Sequence, residues 1–369
     1  MGRSTPLTKE VERMVGRESP DYVKISFAAA ITLGVSPGKF FRGAKLYCLN
    51  LLLTYEDGCI GKCAYCGLSN ARKLRSLNER SFIRVDWPTV PLSEVLKRME
   101  SERCAHVRRV CVSMITNRRA REDTLTVVRR LKEKTNAISS LVAPTVINEG
   151  WLGDLKEAGA DKVGVAVDAA TPELFDKLRG RGVRGPHKWS WYWKIVEDAV
   201  EVFGEYNVGV HLIVGLGETE REMAEAIQKA YDTGALTHIF SFFPEEGSQL
   251  ESRPQPPIGQ WRRVQLARYL INKAISSYNR MRFDCEGRIV DFGISKEVYG
   301  AIVESGLPFM TAGCSGKGME NACNRPFSNC TPYQAYIGEM RNFPFKPNKR
   351  DIVLIKKQIK DYSNGWTAN

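Results

Sequence analysis

Six apolar runs of strand length, separated by segments of helical period, constrain this chain's fold more than any other feature. They are YCLNLLLTY (47–55), RRVCVSMIT (108–116), SSLVAPTVI (139–147), KVGVAVDA (162–169), NVGVHLIVGL (207–216) and THIFSFFP (237–244). Near-continuous runs of Val, Ile, Leu and Phe mark strands buried on both faces. Between them, REDTLTVVRRLKEK (121–134) and ETEREMAEAIQKAYDTG (218–234) read as helices. The second sets Met223, Ile227 and Tyr231 at i, i+4 and i+8, opens on acidic residues and ends near Gly234. Successive βα units predict an α/β fold, between a partial (β/α)6 and a full (β/α)8 TIM-type barrel. The expected organisation is an N-terminal helical extension (1–45), the barrel (46–300) and a loop-rich, cysteine-containing C-terminal extension (301–369). FDCEGRIVDFGI (283–294) reads as a strand pair.

The loop after the first run, GCIGKCAYCGLSN (58–70), crowds Cys59, Cys63 and Cys66 at the C-terminal end of a strand. In parallel barrels that face carries the chemistry. Four thiolates close a tetrahedral zinc site or saturate an iron–sulfur cubane. Three thiolates on a cubane leave one iron open to a substrate's amine and carboxylate. The alternative is a zinc knuckle that borrows His106, His187, His211 or His238, all distant in sequence.

Cys314, Cys323 and Cys330 form a second set, spaced C-x8-C-x6-C in a stretch rich in Gly, Asn, Ser and Pro. Such a stretch buries little core, so a metal would help order it. An auxiliary iron–sulfur cluster, a zinc site and free thiols compete as readings. No His follows His238, which disfavours a local Cys3His zinc site. For a fourth ligand, Ser315, Arg325 and Ser328 are near in sequence. Cys48, Cys104, Cys111 and Cys285 read as small buried apolar residues.

The N-terminus has no apolar secretory segment, and no apolar run approaches the ~20 residues of a membrane span. A cytoplasmic protein without a membrane partner is expected, where ten cysteines favour metal or thiol chemistry over disulfides. The net charge of +12 favours an acidic partner, against the bland reading of a solvated basic surface. Basic residues do not interleave with aromatics as in RNA-binding chains, so nucleic acid is not the expected partner.

C-x3-C-x2-C with Tyr65 before the last Cys, after the first strand of a βα barrel, resembles the radical S-adenosylmethionine (SAM) superfamily. The resemblance implies a 4Fe-4S cluster on Cys59, Cys63 and Cys66 whose open iron chelates the methionyl group of SAM. Reductive cleavage would then give a 5′-deoxyadenosyl radical that abstracts hydrogen. GVHLIVGLGET (209–219) is similar to the family's strand-five motif beside the adenine, which singles out Gly215 and Gly217. GVAVDAATPELFDKL (164–178) is similar to the strand-four region, with Asp168 as the ribose contact. Taken alone, the glycines fit a strand-end turn and Asp168 a helix N-cap. Where the superfamily often has Gly-Gly-Glu, this chain reads SMITN (113–117), leaving Ser113 or Thr116 for the methionyl amine.

FSFFPEEGS (240–248) is similar to strand six of the biotin synthase branch. Biotin synthase takes its sulfur-donating cluster's cysteines from inside barrel strands, and SSLVAPTVI and NVGVHLIVGL contain none. The chain more closely resembles the two-component lipoyl synthases, pairs of biotin-synthase-like proteins. That resemblance runs through ISFAAAITLG (25–34), NLLLTYEDGCIGKCAYCGLS (50–69), RRVCVSMITN (108–117) and CNRPFSNCTP…RNFPFKPNKRDI (323–352). It implies a sulfurtransferase of lipoyl cofactor biosynthesis, acting first, at C8, with a second 4Fe-4S cluster consumed as sulfur source. The implied partners are an octanoyl-lysyl carrier domain, a paired radical SAM lipoyl synthase protein, and ferredoxin or flavodoxin as electron donor. TNRRAR (116–121) and RGRGVRG (179–185) would face the acidic carrier. The rivals are a biotin-synthase-like or other radical enzyme with an auxiliary cluster in cofactor or peptide maturation, and a non-enzymatic iron–sulfur protein.

Overall fold

All six apolar runs are strands in the computed structural model, which describes residues 16–69, 71–72, 85–316, 321–326 and 328–363. In chain order the sheet contains β1 (Tyr22–Ile25), β2 (Cys48–Leu53), β3 (Thr89–Pro91), β4 (Arg109–Ser113), β5 (Ile138–Val142), β6 (Lys162–Asp168), β7 (Val208–Val214) and β8 (Leu236–Ser241). Their spatial order is β3-β1-β2-β4-β5-β6-β7-β8. From β2 to β8 each neighbour is parallel to the last. β1 is antiparallel to both of its neighbours.

The N-terminal extension holds one short helix, α1 (Phe27–Thr32), capped by the Ser26 side chain, which accepts from the Ala29 amide. It also supplies β1, a strand that sequence pattern did not mark, because YVKI offers only four residues of alternation. Residues 1–15 of that extension lie outside the described residues.

Helices α2 (Leu92–Met99), α3 (Ala120–Lys132), α4 (Trp151–Ala158), α5 (Pro172–Leu178), α6 (Trp189–Phe203), α7 (Glu220–Asp232) and α8 (Ile258–Asn272) accompany the strands. The helix read over 218–234 is α7. A Thr219–Glu222 capping box starts it, Met223 and Ile227 are buried, and Tyr231 packs half-buried beside them. Outward strand residues such as Leu49, Leu51, Val110, Val112, Val163, Val165, Val210 and Leu212 are fully buried. Inward residues from all six parallel strands line one cavity of about 290 Å³, among them Leu52, Cys111, Leu141, Ala166, Ile213 and Phe240. The parallel sheet therefore curls around a chamber as a partial barrel, with β3 and β8 at its two edges.

The expected strand pair at 283–294 forms as β9 (Arg282–Phe283) and β10 (Ile289–Asp291). The chain then continues through α9 (Lys296–Ser305), α10 (Pro332–Tyr336) and α11 (Lys349–Ile359). Two buried arginines on α8 hold this C-terminal part in place. Arg263 donates to the Glu220 carboxylate (2.7 Å) and to the carbonyls of Ile359 (2.9 Å) and Asp361 (2.7 Å). Arg262 donates to the Gln358 side chain (2.8 Å) and to the carbonyls of Met340 and Arg341. No helix among the described residues is long and apolar enough to cross a membrane.

Arg263 and Glu220 are each 2% exposed, so removing one partner strands a buried charge. Arg263→Ala should cost roughly 3–5 kcal/mol in denaturant unfolding. Arg119→Ala, which breaks the exposed pair with Glu18, should cost about 1 kcal/mol or less. Equal costs would refute this account of what pins the extension.

Candidate active site

The loop after β2 is held at the chamber mouth by backbone hydrogen bonds to three other segments. Ile60 N donates to Thr116 O (2.8 Å), Ala64 N to Leu178 O (2.8 Å), and Leu250 N to Ala64 O (3.1 Å). Cys59, Cys63 and Cys66 all line the chamber. Backbone amides point at two of the sulfurs, Gly61 N at Cys59 Sγ (3.3 Å) and Leu68 N at Cys66 Sγ (3.4 Å). Such donors favour the thiolate that a metal needs. Burial acts the other way and pushes the Cys63 thiol up to about 11. Gly61 allows a close approach: a Cβ there would sit 3.1 Å from His187 Nε2 and 3.2 Å from Cys59 Sγ.

Beside the thiols runs a buried polar network. Tyr65 OH donates to Asp168 Oδ2 (2.6 Å), which also accepts from Arg179 Nη1 (2.8 Å). Arg179 Nη2 donates to Tyr192 OH (3.0 Å). His187 Nδ1 meets both Tyr192 OH (2.9 Å) and Thr145 Oγ1 (2.7 Å). Burial, followed by the nearby Arg179 charge, depresses His187 to about 3, so its ring is neutral. Asp168 takes positive φ (67°) at the end of β6, where an Asp is tolerated. It caps no helix, since Thr171 caps α5. Arg179 opens the RGRGVRG stretch expected at the surface, yet it is 5% exposed and lines the chamber. Sequence reading missed Arg179 as a site residue and named His187 only among four distant histidines that a zinc knuckle could borrow, because both follow α5, in a segment that folds back to the mouth.

Ser113 and Thr116 also line the chamber, at and just beyond the end of β4. At the opposite end lies the second group of thiols, and its membership differs from expectation. Cys314 and Cys323 sit together, the Cys323 amide donating to Cys314 O (2.9 Å). Cys48 and Cys111, expected to be plain apolar residues, sit with them. The Cys323 thiol lies beside that of Cys48. Burial, then the neighbouring Cys323 and Cys111 thiols, pushes Cys314 up to about 12. Cys330 stands apart from this group, buried near Arg341 and Arg262, and does not line the chamber. Among the described residues no three His, Cys, Asp or Glu side chains close on a single point, as one metal ion would require.

The remaining expected contacts lie in the turn after β7. Gly215 (φ 106°) and Gly217 (φ 131°) do not line the chamber, whereas Ile213 does. A Cβ on Gly215 would come within 2.7 Å of the Pro256 ring. The carboxylate of Glu218, which pattern reading passed over, shapes this turn. It accepts from the amides of Gly215 (2.6 Å), Leu216 (3.0 Å) and Gly217 (3.1 Å). Burial raises it to about 7 against those three donors. A carboxyl raised from 4.5 stabilises the fold below pH 4.5 and loses that contribution as pH climbs through about 7. The wild type should therefore lose about 3 kcal/mol relative to Glu218→Gln between those limits. Unfolding curves whose difference is flat across that pH range would refute the assignment.

No curated protein sequence matches the chain. Among solved structures, it is similar to methylornithine synthase, with 15% identity over 65% of this chain and 67% of that one, at TM-score 0.45. It is also similar to the FeFe-hydrogenase maturase HydG from Carboxydothermus hydrogenoformans, with 15% identity over 67% of this chain and 56% of that one, at TM-score 0.45. A third, Streptococcus suis SuiB bound to its precursor peptide SuiA, is 11% identical over 63% of this chain and 48% of that one, at TM-score 0.44. The matches thus span from 48% to 67% of these relatives' own lengths. Residues 54–230, from the cysteine loop through most of α7, match the model of the Radical SAM superfamily. Residues 54–230 therefore carry a radical SAM domain, of a superfamily of enzymes that use SAM and a 4Fe-4S cluster.

Proposed function

We propose that this protein is a radical SAM sulfurtransferase that inserts sulfur into an unactivated C–H bond of a protein-bound octanoyl chain, in lipoyl cofactor biosynthesis. One observation carries the reading: thiols at the mouth and thiols at the floor open onto one chamber whose middle is apolar. Leu52, Leu141, Ile213 and Phe240 line that middle. An alkyl chain is held there by burial, at about 0.8 kcal/mol per methylene.

Cys59, Cys63 and Cys66 fit the SAM-binding cluster, with three inward thiols, two of them facing backbone amides. Cys314 and Cys323 belong to the second, sulfur-supplying cluster. When bound, the first cluster and SAM supply hydrogen-atom abstraction, and the second cluster supplies sulfur. The chain's own residues bind and orient. Arg179 offers SAM a fixed cation beside Cys63, and Tyr65 and Asp168 hold that guanidinium in place. The methylene proton is not acidic, so the chamber needs no general base. Its histidines suit that: burial depresses both His187 (about 3) and His211 (about 4), and each stays neutral.

The acyl arm arrives on an acidic carrier domain, steered by the net charge of +12. Arg119 contributes little to this, being paired with Glu18 and Asp57, while Arg118 is exposed at the same corner. A paired lipoyl synthase protein adds the second sulfur, a ferredoxin or flavodoxin supplies electrons, and the reaction is cytoplasmic.

Anaerobic incubation with SAM, a reductant and an octanoylated lipoyl-domain peptide, read by mass, tests this. One sulfur gained per peptide, with 5′-deoxyadenosine formed, is the expected result. Cleavage of SAM without sulfur gain would assign the chain to another radical maturation reaction. The Cys59→Ala/Cys63→Ala/Cys66→Ala variant should form no 5′-deoxyadenosine. Persistent cleavage there would show that SAM is not activated at this loop.

A further inference from the structure

We infer that the floor of the chamber is a second iron–sulfur site ligated by four thiolates, Cys48, Cys111, Cys314 and Cys323, with Cys330 taking no part. This deepens the function proposed above and rests on it for the sulfur-donating role. The site itself rests on the packing of the floor.

Each loop cysteine is delivered to a strand cysteine by its neighbour in sequence. Next to Cys323, the Asn324 side chain accepts from Tyr47 N (2.8 Å) and donates to Lys45 O (2.8 Å), just ahead of Cys48. Next to Cys314, Ser315 O accepts from Arg109 Nε (2.7 Å), two residues before Cys111 on the same face of β4. The two loop cysteines are joined through their backbone, with both Ala322 N (3.0 Å) and Cys323 N (2.9 Å) donating to Cys314 O. On the strand side, Asn50 pairs in register with Cys111, and its amide Nδ2 lies 3.9 Å from Cys48 Sγ. Four thiols from two adjacent strands and one hairpin therefore face one another.

Charge points to an anion among them. Arg109, Lys162 and Arg325 surround the group. Arg109 has a carboxylate partner, Asp161 (2.6 Å). Arg325 is half-buried on the chamber wall beside Cys323, its guanidinium over the Trp87 ring. A partly desolvated cation gains from a nearby anion. A cluster carried on thiolates supplies such an anion, and neutral thiols do not. A single zinc ion would need sulfurs drawn within about 4 Å of one another, the edge of a tetrahedron with 2.3 Å bonds. A cubane takes one thiolate on each iron, so four thiols suffice to saturate it. The Cys111 and Cys323 thiols and Arg325 line the substrate chamber, so one face of such a cluster would border the apolar middle.

The test isolates this site from the first by working in the Cys59→Ala/Cys63→Ala/Cys66→Ala protein. After anaerobic reconstitution that variant should retain about four irons with matching sulfide, and an EPR signal on reduction. Adding Cys48→Ala or Cys111→Ala should remove most of that iron and the signal. Adding Cys330→Ala, a buried thiol like Cys48, should leave both, which controls for lost packing. Thermal melting of the unreconstituted variants separates failure to fold from failure to ligate. Iron kept by the Cys48 and Cys111 variants but lost with Cys330 would overturn the ligand set in favour of the C-terminal cysteines alone. A triple variant that folds yet holds no iron would overturn the site altogether. Full retention of the second cluster in the wild type, with no sulfur reaching the octanoyl peptide, would instead refute the proposed function and leave the site standing.

Discussion

Both thiol groups depend on the register between β2 and β4. Pairing Cys48 with Arg109, Asn50 with Cys111 and Leu52 with Ser113 puts all six on one face of the sheet, and Asn50, Leu52, Cys111 and Ser113 line the chamber. Because side chains alternate along a strand, a slip of one residue would turn the whole set outward. The same strand serves both ends of the chamber. Cys48 begins β2 at the floor, and the loop of Cys59, Cys63 and Cys66 follows its last residue, Leu53, at the mouth. A strand of this length spans roughly 16 Å at ~3.3 Å per residue. The distance between the two thiol groups is thus set by a rigid hydrogen-bonded element and not by loop conformation.

The chamber is divided by polarity in a way that suits an alkyl substrate. At the mouth, Arg179 has its charge partnered by Asp168 and its guanidinium set over the Phe175 and Tyr192 rings. At the floor, Arg109, Lys162 and Arg325 accompany the thiols. Between them the walls are aliphatic and aromatic. A buried charge in a low-dielectric interior needs a local partner, so polar groups gather at the two ends where such partners exist.

How legible this was in the sequence differs from element to element. The six parallel strands stood out because burial on both faces leaves unbroken apolar runs such as NVGVHLIVGL. The mouth cysteines were legible because their spacing is local. The floor was not, because its thiols come from residues far apart in the chain, and Cys inside an apolar run reads as a hydrophobe. A finer signal was present: Cys48 and Asn50 alternate with Leu49 and Leu51, and Arg109, Cys111 and Ser113 with Val110 and Val112. Polar groups at every second position of a buried strand mark one face as lining something other than core. Arg179 illustrates the opposite case. Its neighbours Arg181 and Arg184 suggested a surface charge cluster, and only the return of the chain after α5 buries it. Cys330 shared a loop-rich stretch with Cys314 and Cys323 but belongs to the packing around Arg262 and Arg341.

Six parallel strands are two short of a closed barrel, and the C-terminal extension spans the gap between the first and the last of them. On the β2 side, Asn324 is hydrogen-bonded to Tyr47 and Lys45. On the β8 side, Arg341 Nη1 donates to Ser241 Oγ (3.1 Å), and α8 grips the Met340 and Arg341 carbonyls through Arg262. The extension therefore does with side chains what two further strands would do with backbone ladders. Among its described residues, the stretch between Thr311 and Asn329 buries few large apolar groups. Ligands that bind the native arrangement and not the unfolded chain stabilise it by mass action. The segments that carry Cys314 and Cys323 thus close the chamber on the β2 side and bring Cys323 to its floor.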